Sequence, residues 1–116
     1  MIESQPQFLQ GIFPFLGAGY EKLSPLSDTL VYTVPTDKRA QLIYLRAGNS
    51  CAEMVCIVLM RGGRPMRYFP IGAKAAAHVP LSVVEDIFPE TRLEVFFAAP
   101  ADTQGSLVID IGLLEI

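Results

Sequence analysis

The sequence predicts an all-β domain, an antiparallel β-sandwich or jelly roll of seven to eight short strands with an extended N-terminal arm. Three observations lead to this prediction. Short apolar runs recur at regular spacing between clusters of turn-forming residues. Several of these runs alternate with a period of two, as strands do. A single segment has helical spacing, and it is too short for a helical domain.

Residues 1–27 are predicted to form the arm, and residues 28–116 the sandwich. The arm has three prolines and three glycines and no sustained period of two or of 3.6, so neither an interior strand nor a long helix is expected. It is nevertheless too apolar for a disordered tail. Two alternatives stay open: the arm folds back over its own domain, or it reaches a neighbouring subunit. The side chains that would make either contact are Phe8, Leu9, Ile12, Phe13, Phe15 and Leu16.

The stretch Gln41–Met60 is predicted to be the central hairpin of the sandwich. Its two apolar runs, Leu42–Leu45 and Met54–Met60, are joined through the turn-forming sequence Gly48-Asn49-Ser50. The second run is apolar at every position, as a strand buried on both faces must be.

The remaining elements follow from local patterns. A strand is expected at Leu30–Val34, a Gly-Gly turn at Arg61–Pro65, and a strand at Met66–Ile71. Lys74–Val79 is expected to be an edge strand or an irregular link. Leu81–Phe88 is the helical candidate, because Val83, Val84, Ile87 and Phe88 recur at helical spacing before Pro89. Alternation then predicts two more strands, at Leu93–Phe97 and Leu107–Leu113.

Composition limits the possible functions. The chain of 116 residues is 51% hydrophobic and 18% charged, so it has a large core for its size or covers apolar surface with a partner. The net charge of −3 and the pI near 5.0 argue against nucleic acid as a partner. Every apolar run is interrupted within about ten residues, against roughly twenty needed for a membrane span, so no membrane contact is expected.

No residue pattern indicates catalysis, a metal site or a cofactor. His78 is the one histidine, and its neighbours offer no acid or ligand at useful spacing. Cys51 and Cys56 lie five residues apart, which is about 16 Å in a strand, so free thiols are expected. Asp110 and Glu115 should point to opposite faces of one strand. We therefore expect a protein that is not an enzyme.

The run from Leu30 to Asn49 resembles small β-sandwich proteins of tailed-bacteriophage particles. In these proteins a strand that ends in Tyr-Thr-Val-Pro leads through a polar turn to a strand that ends near Asn. The likeness continues through Val58–Phe69 and ends on the Ile-Asp-Ile-Gly-Leu sequence of the last strand. It implies a capsid decoration or cement protein, or a neck or tail accessory, that assembles as a trimer and sets its arm on a neighbour. The implied location is the virion, assembled in the host cytoplasm, and the implied partner is the major capsid protein or another virion protein.

Eight residues are predicted to contact such a partner. The arm would anchor the protein and three arginines around the Gly-Gly turn would orient it, although arginines there are also typical of a solvated turn. The alternative function is a receptor-binding or carbohydrate-binding jelly-roll module. The predicted contact residues are Phe8, Ile12, Phe13, Phe15, Tyr20, Arg61, Arg64 and Arg67.

Overall fold

A computed structural model describes residues 4–81 and 85–116 of the chain. Within these ranges there is no helix. The described residues therefore contain no helix that is long and apolar enough to cross a membrane. The described residues form ten strands, more than expected because three of them have only two or three residues. The strands are β1 (Gln5–Leu16), β2 (Ser24–Pro25), β3 (Val31–Thr33), β4 (Ala40–Asn49), β5 (Val55–Arg61), β6 (Arg64–Ile71), β7 (Ala76–Pro80), β8 (Asp86–Ile87), β9 (Arg92–Ala98) and β10 (Gln104–Glu115).

The described strands make two antiparallel sheets packed as a sandwich, which confirms the predicted fold class. Sheet A has the order β1-β10-β4-β7, with β8 also paired to β4. Sheet B has the order β2-β9-β5-β6, with β3 also paired to β9. Apolar side chains from the inner faces of both sheets form one core, because alternate residues of a strand point to the same face. Its most deeply buried members include Leu30, Leu45, Ile57, Ile71, Ile87, Leu107, Ile109 and Ile111.

The segment predicted to be an arm supplies strands to both sheets. Gln5–Leu16 pairs with β10 along its whole length, and Ser24–Pro25 pairs with β9. Within the single chain the segment therefore pairs with its own domain, and a contact with a neighbouring subunit stays a prediction. Proline is tolerated in β1 because one side of an edge strand needs no backbone donor.

The predicted hairpin between β4 and β5 is wrong. β4 lies in sheet A and β5 in sheet B, so residues 50–54 cross from one sheet to the other. The sequence Gly48-Asn49 belongs to β4 itself, and the buried Asn49 side chain stabilises the crossing. Its Nδ2 donates to the Glu53 carbonyl at 2.8 Å and its Oδ1 accepts the Cys51 N–H at 3.0 Å. Turn-forming residues thus mark a change of sheet here.

The hairpin that does form joins β5 and β6. Gly62 and Gly63 have φ angles of 59° and 81°, the left-handed values expected of this Gly-Gly turn. β5 lies between β9 and β6, and it is buried on both faces as predicted, since Ile57 faces the core while Val58 is buried on the outer side.

The predicted helix at Leu81–Phe88 is wrong for the residues that the structure describes. Asp86–Ile87 forms the short strand β8, in which Ile87 lies opposite Ala40 of β4 and is fully buried. Val83 and Val84, on which the helical spacing depended, lie outside the described residues. The alternatives for Lys74–Val79 are resolved in favour of an edge strand, because Ala76–Pro80 forms β7 at the edge of sheet A.

Candidate interaction surface

β1 presents two different faces. Its odd-numbered residues point into the sandwich, where Phe15 is buried and its ring packs edge-on against Phe97 at a centroid distance of 5.3 Å. Phe13 also packs against the core and is partly buried. Both were predicted to contact a partner, but in this structure their rings contact the chain's own core.

Three even-numbered residues of β1 place large apolar side chains on the outer face of sheet A. Phe8, Ile12 and Leu16 are 53%, 71% and 57% exposed, and Val108 of β10 lies opposite Ile12 and is also exposed. We call Phe8, Ile12, Leu16 and Val108 the β1 stripe. A spacing of four residues in a strand is about 13 Å, so the three β1 side chains extend over roughly 27 Å of the sheet rim. Exposed large apolar side chains grouped on one face are typical of interaction sites.

A row of polar side chains crosses the same face. Gln10, Asp110, Arg46 and His78 lie opposite one another on β1, β10, β4 and β7. Asp110 accepts hydrogen bonds from Gln10 Nε2 at 2.9 Å and from Arg46 Nη2 at 2.6 Å, and Tyr44 donates its hydroxyl at 2.9 Å. The hydrogen bond from Gln10, with those from Arg46 and Tyr44, lowers the pKa of Asp110 although burial opposes the shift. The carboxylate therefore stays ionised, and its hydrogen bonds hold the side chains of Gln10, Arg46 and Tyr44 in place.

Gly112 is what allows Tyr44 to reach this row. A Cβ at position 112 would lie 2.1 Å from Tyr44 Cε2, so the ring lies directly over the glycine. The ring then contacts Arg46, whose guanidinium carbon is 5.5 Å from the ring centroid, and His78, whose ring is edge-on at 6.1 Å.

A shallow groove of about 550 Å³ lies beside the polar row. Small residues form its floor, and Cβ at Gly48 would approach nothing closer than Val108 at 3.7 Å. It adjoins a second hollow of about 310 Å³ bordered by Ser50, Lys74 and Ser106. The residues that line the main groove include Arg46, Gly48, Ala76, His78, Val108 and Asp110.

The three predicted arginines lie in the other sheet. Arg61 and Arg64 face each other at the end of the β5–β6 hairpin of sheet B, and Arg67 follows in β6. Arg61 Nη1 lies 3.2 Å from Glu85 Oε2, and Arg67 Nη2 lies 2.9 Å from Glu85 Oε1. Two of the arginines therefore pair with an acid of their own chain, and the structure does not bring them together with the β1 stripe.

Tyr20 ties the link between β1 and β2 to the crossing between the sheets. Its hydroxyl donates to the Met54 carbonyl at 2.9 Å, and its ring is partly exposed. Tyr20 thus holds the chain that follows β1 in place, and its role toward a partner stays a prediction.

The cysteines and acids lie as their spacing predicts. Cys51 and Cys56 are free thiols, and burial raises the pKa of Cys56. Asp110 lies on the outer face, whereas the buried Glu115 accepts a hydrogen bond from the Tyr32 hydroxyl. Within residues 4–81 and 85–116, no three His, Cys, Asp or Glu side chains are grouped so as to hold a metal ion.

Comparisons with known proteins define the fold alone. No protein-family model matches the chain, and no curated protein matches it. A chain from the structure of infectious bursal disease virus, Gt strain, aligns with a TM-score of 0.51 at 12% identity, covering 97% of this chain and 32% of that one. The CBM36-1 domain of a multidomain xylanase from the hindgut metagenome of Trinervitermes trinervoides aligns with a TM-score of 0.49 at 16% identity, covering 91% and 96%. This chain thus spans about a third of the length of the viral chain, and the first similarity supports the β-sandwich fold.

Proposed function

We propose that this protein is a structural, non-catalytic virion protein that attaches to the capsid as a decoration or cement protein. Attachment uses the outer face of sheet A, and the partner is the major capsid protein or another virion protein. The observation that carries the proposal is the β1 stripe, four exposed apolar side chains on β1 and β10 at one side of the outer face of sheet A. The resemblance to small virion proteins of tailed bacteriophages supports the choice of partner.

The β1 stripe is suited to repeated docking for a physical reason. Burying apolar surface contributes roughly 25 cal/mol per Å², so each occupied site stabilises the contact between the subunits that it covers. The stripe belongs to a strand that is paired along its whole length, so little backbone freedom has to be lost on binding. Beside it the polar row presents groups already fixed by Asp110, which favours one orientation of the partner.

Quantitative mass spectrometry of purified particles is the first test. Copies of this protein are counted against copies of the major shell protein. We expect near-stoichiometric abundance, which is the ratio of a decoration protein. A few copies per particle would instead support a neck or tail accessory, and complete absence would overturn the virion proposal.

The role of the stripe is tested by co-sedimentation of purified protein with particles. The double variant L16S/V108S removes two apolar side chains of the stripe, and we expect at least tenfold weaker binding. Tyr68→Ser is the matched control, because Tyr68 is equally exposed but lies on the outer face of sheet B. Equal binding by L16S/V108S and wild type would show that the stripe is not the attachment site.

A second candidate function, carbohydrate binding, is favoured by the groove beside Arg46 and Asp110. A groove with a small-residue floor and oriented polar groups on its border can hold a sugar ring. Gly48→Phe would fill the groove, and its extended backbone accepts a side chain. Binding on a glycan array by the wild type that is lost in Gly48→Phe would support this function over attachment to a shell.

A further inference from the structure

The free edge of β1 has no charged side chain to protect it. Gln5–Leu16 contains no Asp, Glu, Lys or Arg, although it is twelve residues long. Natural proteins normally protect edges with charge, with proline or by keeping them short, because an exposed edge accepts another strand. Two other edge strands follow that rule, since β6 carries Arg64 and Arg67 and β7 has five residues. β1 is therefore the edge best suited to pair with another strand.

The register identifies which backbone groups of β1 face this free edge. The Gly17 N–H donates to the Thr103 carbonyl at 2.7 Å, which continues the β1–β10 register by one pair. Hydrogen-bonded pairs alternate along an antiparallel ladder, so the odd-numbered residues of β1 bond to β10. The even-numbered residues therefore direct their N–H and C=O groups to the free edge. The Ser50 N–H donates to the Ser106 carbonyl, which assigns the even-numbered residues of β10 to β4 and agrees with this result.

The free edge is symmetric about Gln10. It offers N–H donors at Phe8, Gln10 and Ile12, and it has none at Pro6 and Pro14, which lack the group. Pro6 and Pro14 are each four residues from Gln10, and Phe8 and Ile12 are each two residues from it. A two-fold axis through Gln10 therefore places Phe8 opposite Ile12 of a second copy and stops the pairing at a proline on each side.

We propose that two copies of this chain pair antiparallel through the β1 edges, about a two-fold axis at Gln10. Six backbone hydrogen bonds are possible in this register, two from each of the three facing pairs. No like charges meet, because the strand has none. The contact uses the same edge on both copies, so it closes at two subunits. The sheets A become one continuous sheet, and the two β1 stripes become neighbours on its outer face.

The size of the contact predicts how tightly the copies bind. Each copy contributes the five residues Phe8–Ile12, and the two copies together contribute four apolar side chains, Phe8 and Ile12 of each. The area that such an interface buries is below roughly 1,200 Å², which is the range of weak and transient complexes. We therefore expect a dissociation constant of roughly 10 µM to 1 mM. Copies held close together on a surface would pair more completely than copies in dilute solution.

Sedimentation velocity of the purified protein, between about 10 µM and 1 mM, tests the pairing. We expect a reversible dimer for the wild type. Gln10→Pro removes the central donor at a position of the same parity as Pro6 and Pro14, and it should weaken the dimer at least tenfold. Gln10→Ala is the matched control: both variants lose the side-chain bond to Asp110, but only Gln10→Pro loses the backbone donor. Circular dichroism checks that all three proteins are folded.

Cysteine cross-linking tests the register without relying on a proline variant. Residues that face each other in a hydrogen-bonded pair have Cα atoms about 5.5 Å apart, within the range of a disulfide. In a Cys56→Ser background, Gln10→Cys should form a disulfide-linked dimer under mild oxidation. Ile12→Cys should not, because the two copies of that residue would be about 13 Å apart.

Three results would overturn the proposal: a monomer at all concentrations, a trimer, or equal cross-linking at positions 10 and 12. These assays contain no particles, so their outcome does not depend on the proposed virion function. Conversely, L16S/V108S changes residues outside the paired segment. If these substitutions do not weaken particle binding, the attachment proposal fails and the dimer proposal still stands.

Discussion

The two long edges of the sandwich, β1 and β6, differ in how they are protected. Each contains two prolines, Pro6 and Pro14 in β1 and Pro65 and Pro70 in β6. β6 also has Arg64 and Arg67 along it, whereas β1 has only uncharged residues between its prolines. Proline and charge both discourage pairing along an edge. The comparison therefore favours β1, over the five residues Phe8–Ile12, as the edge that accepts another strand.

The largest effect is expected from the inner face of β1. Phe15→Ala should lower the free energy of unfolding by about 3–5 kcal/mol, because a buried ring that packs against Phe97 leaves a cavity. Phe8→Ala, on the exposed face of the same strand, should cost less than about 1 kcal/mol. Urea unfolding followed by circular dichroism measures both. Equal effects would mean that β1 is a detachable arm and not a fixed edge.

Alternation of apolar and polar residues with a period of two predicted several of the strands but could not reveal β1. β9 and β10 alternate because they separate core from solvent, and both were predicted as strands. In β1 large apolar residues occupy both faces, with Phe13 and Phe15 inward and Phe8 and Ile12 outward, so the period is hidden. Its exposed face became clear only when the register with β10 was known.

Partner strands could not be predicted from local signals either. Gly48-Asn49-Ser50 has the composition of a hairpin turn, yet Asn49 uses its side chain to hold a crossing between sheets. Asp110 lies 64 residues from Arg46 and 100 from Gln10 along the chain, so no local pattern indicated the polar row. Long-range register sets these contacts, and it follows from packing of the whole sandwich.

Charge complementation gives the next largest effect and sharpens the comparison between the edges. Phe8→Lys and Ile12→Glu should each weaken self-association of the protein that carries it. Mixed together, the two variants should associate at least tenfold more tightly than either alone, which corresponds to about 1.4 kcal/mol, because the proposed register sets the new lysine against the new glutamate. Sedimentation of the mixture measures this. Mixing Phe8→Lys with a Leu16→Glu variant is the control and should give no gain.

One hydrogen-bonded carboxylate lies on β10, next to β1, and another lies beside β6, and the more buried of the two should have the larger effect. The Asp110 side chain is 17% exposed and that of Glu85 is 37%. The folded state lowers the pKa of Asp110, so its contribution to stability is present above the unfolded value of about 3.9 and is lost as pH falls through the folded value. Asp110→Asn should therefore flatten the decline in the free energy of unfolding between about pH 5 and pH 2. An unchanged slope in urea unfolding across this range would contradict the assigned role of Asp110.

The smallest effect is expected at Glu85, beside the β6 edge. Glu85→Gln removes the acid that pairs with Arg61 and Arg67, but these are exposed pairs, so the cost should be at most about 1 kcal/mol. Salt screens such pairs, so the difference from wild type should largely vanish in about 1 M NaCl. Glu53→Gln is the control, since within residues 4–81 and 85–116 the Glu53 side chain has no ion pair, and it should change stability less at low salt. A Glu85→Gln effect that persists in high salt would mean that the β6 edge depends on this carboxylate for packing as well as for charge.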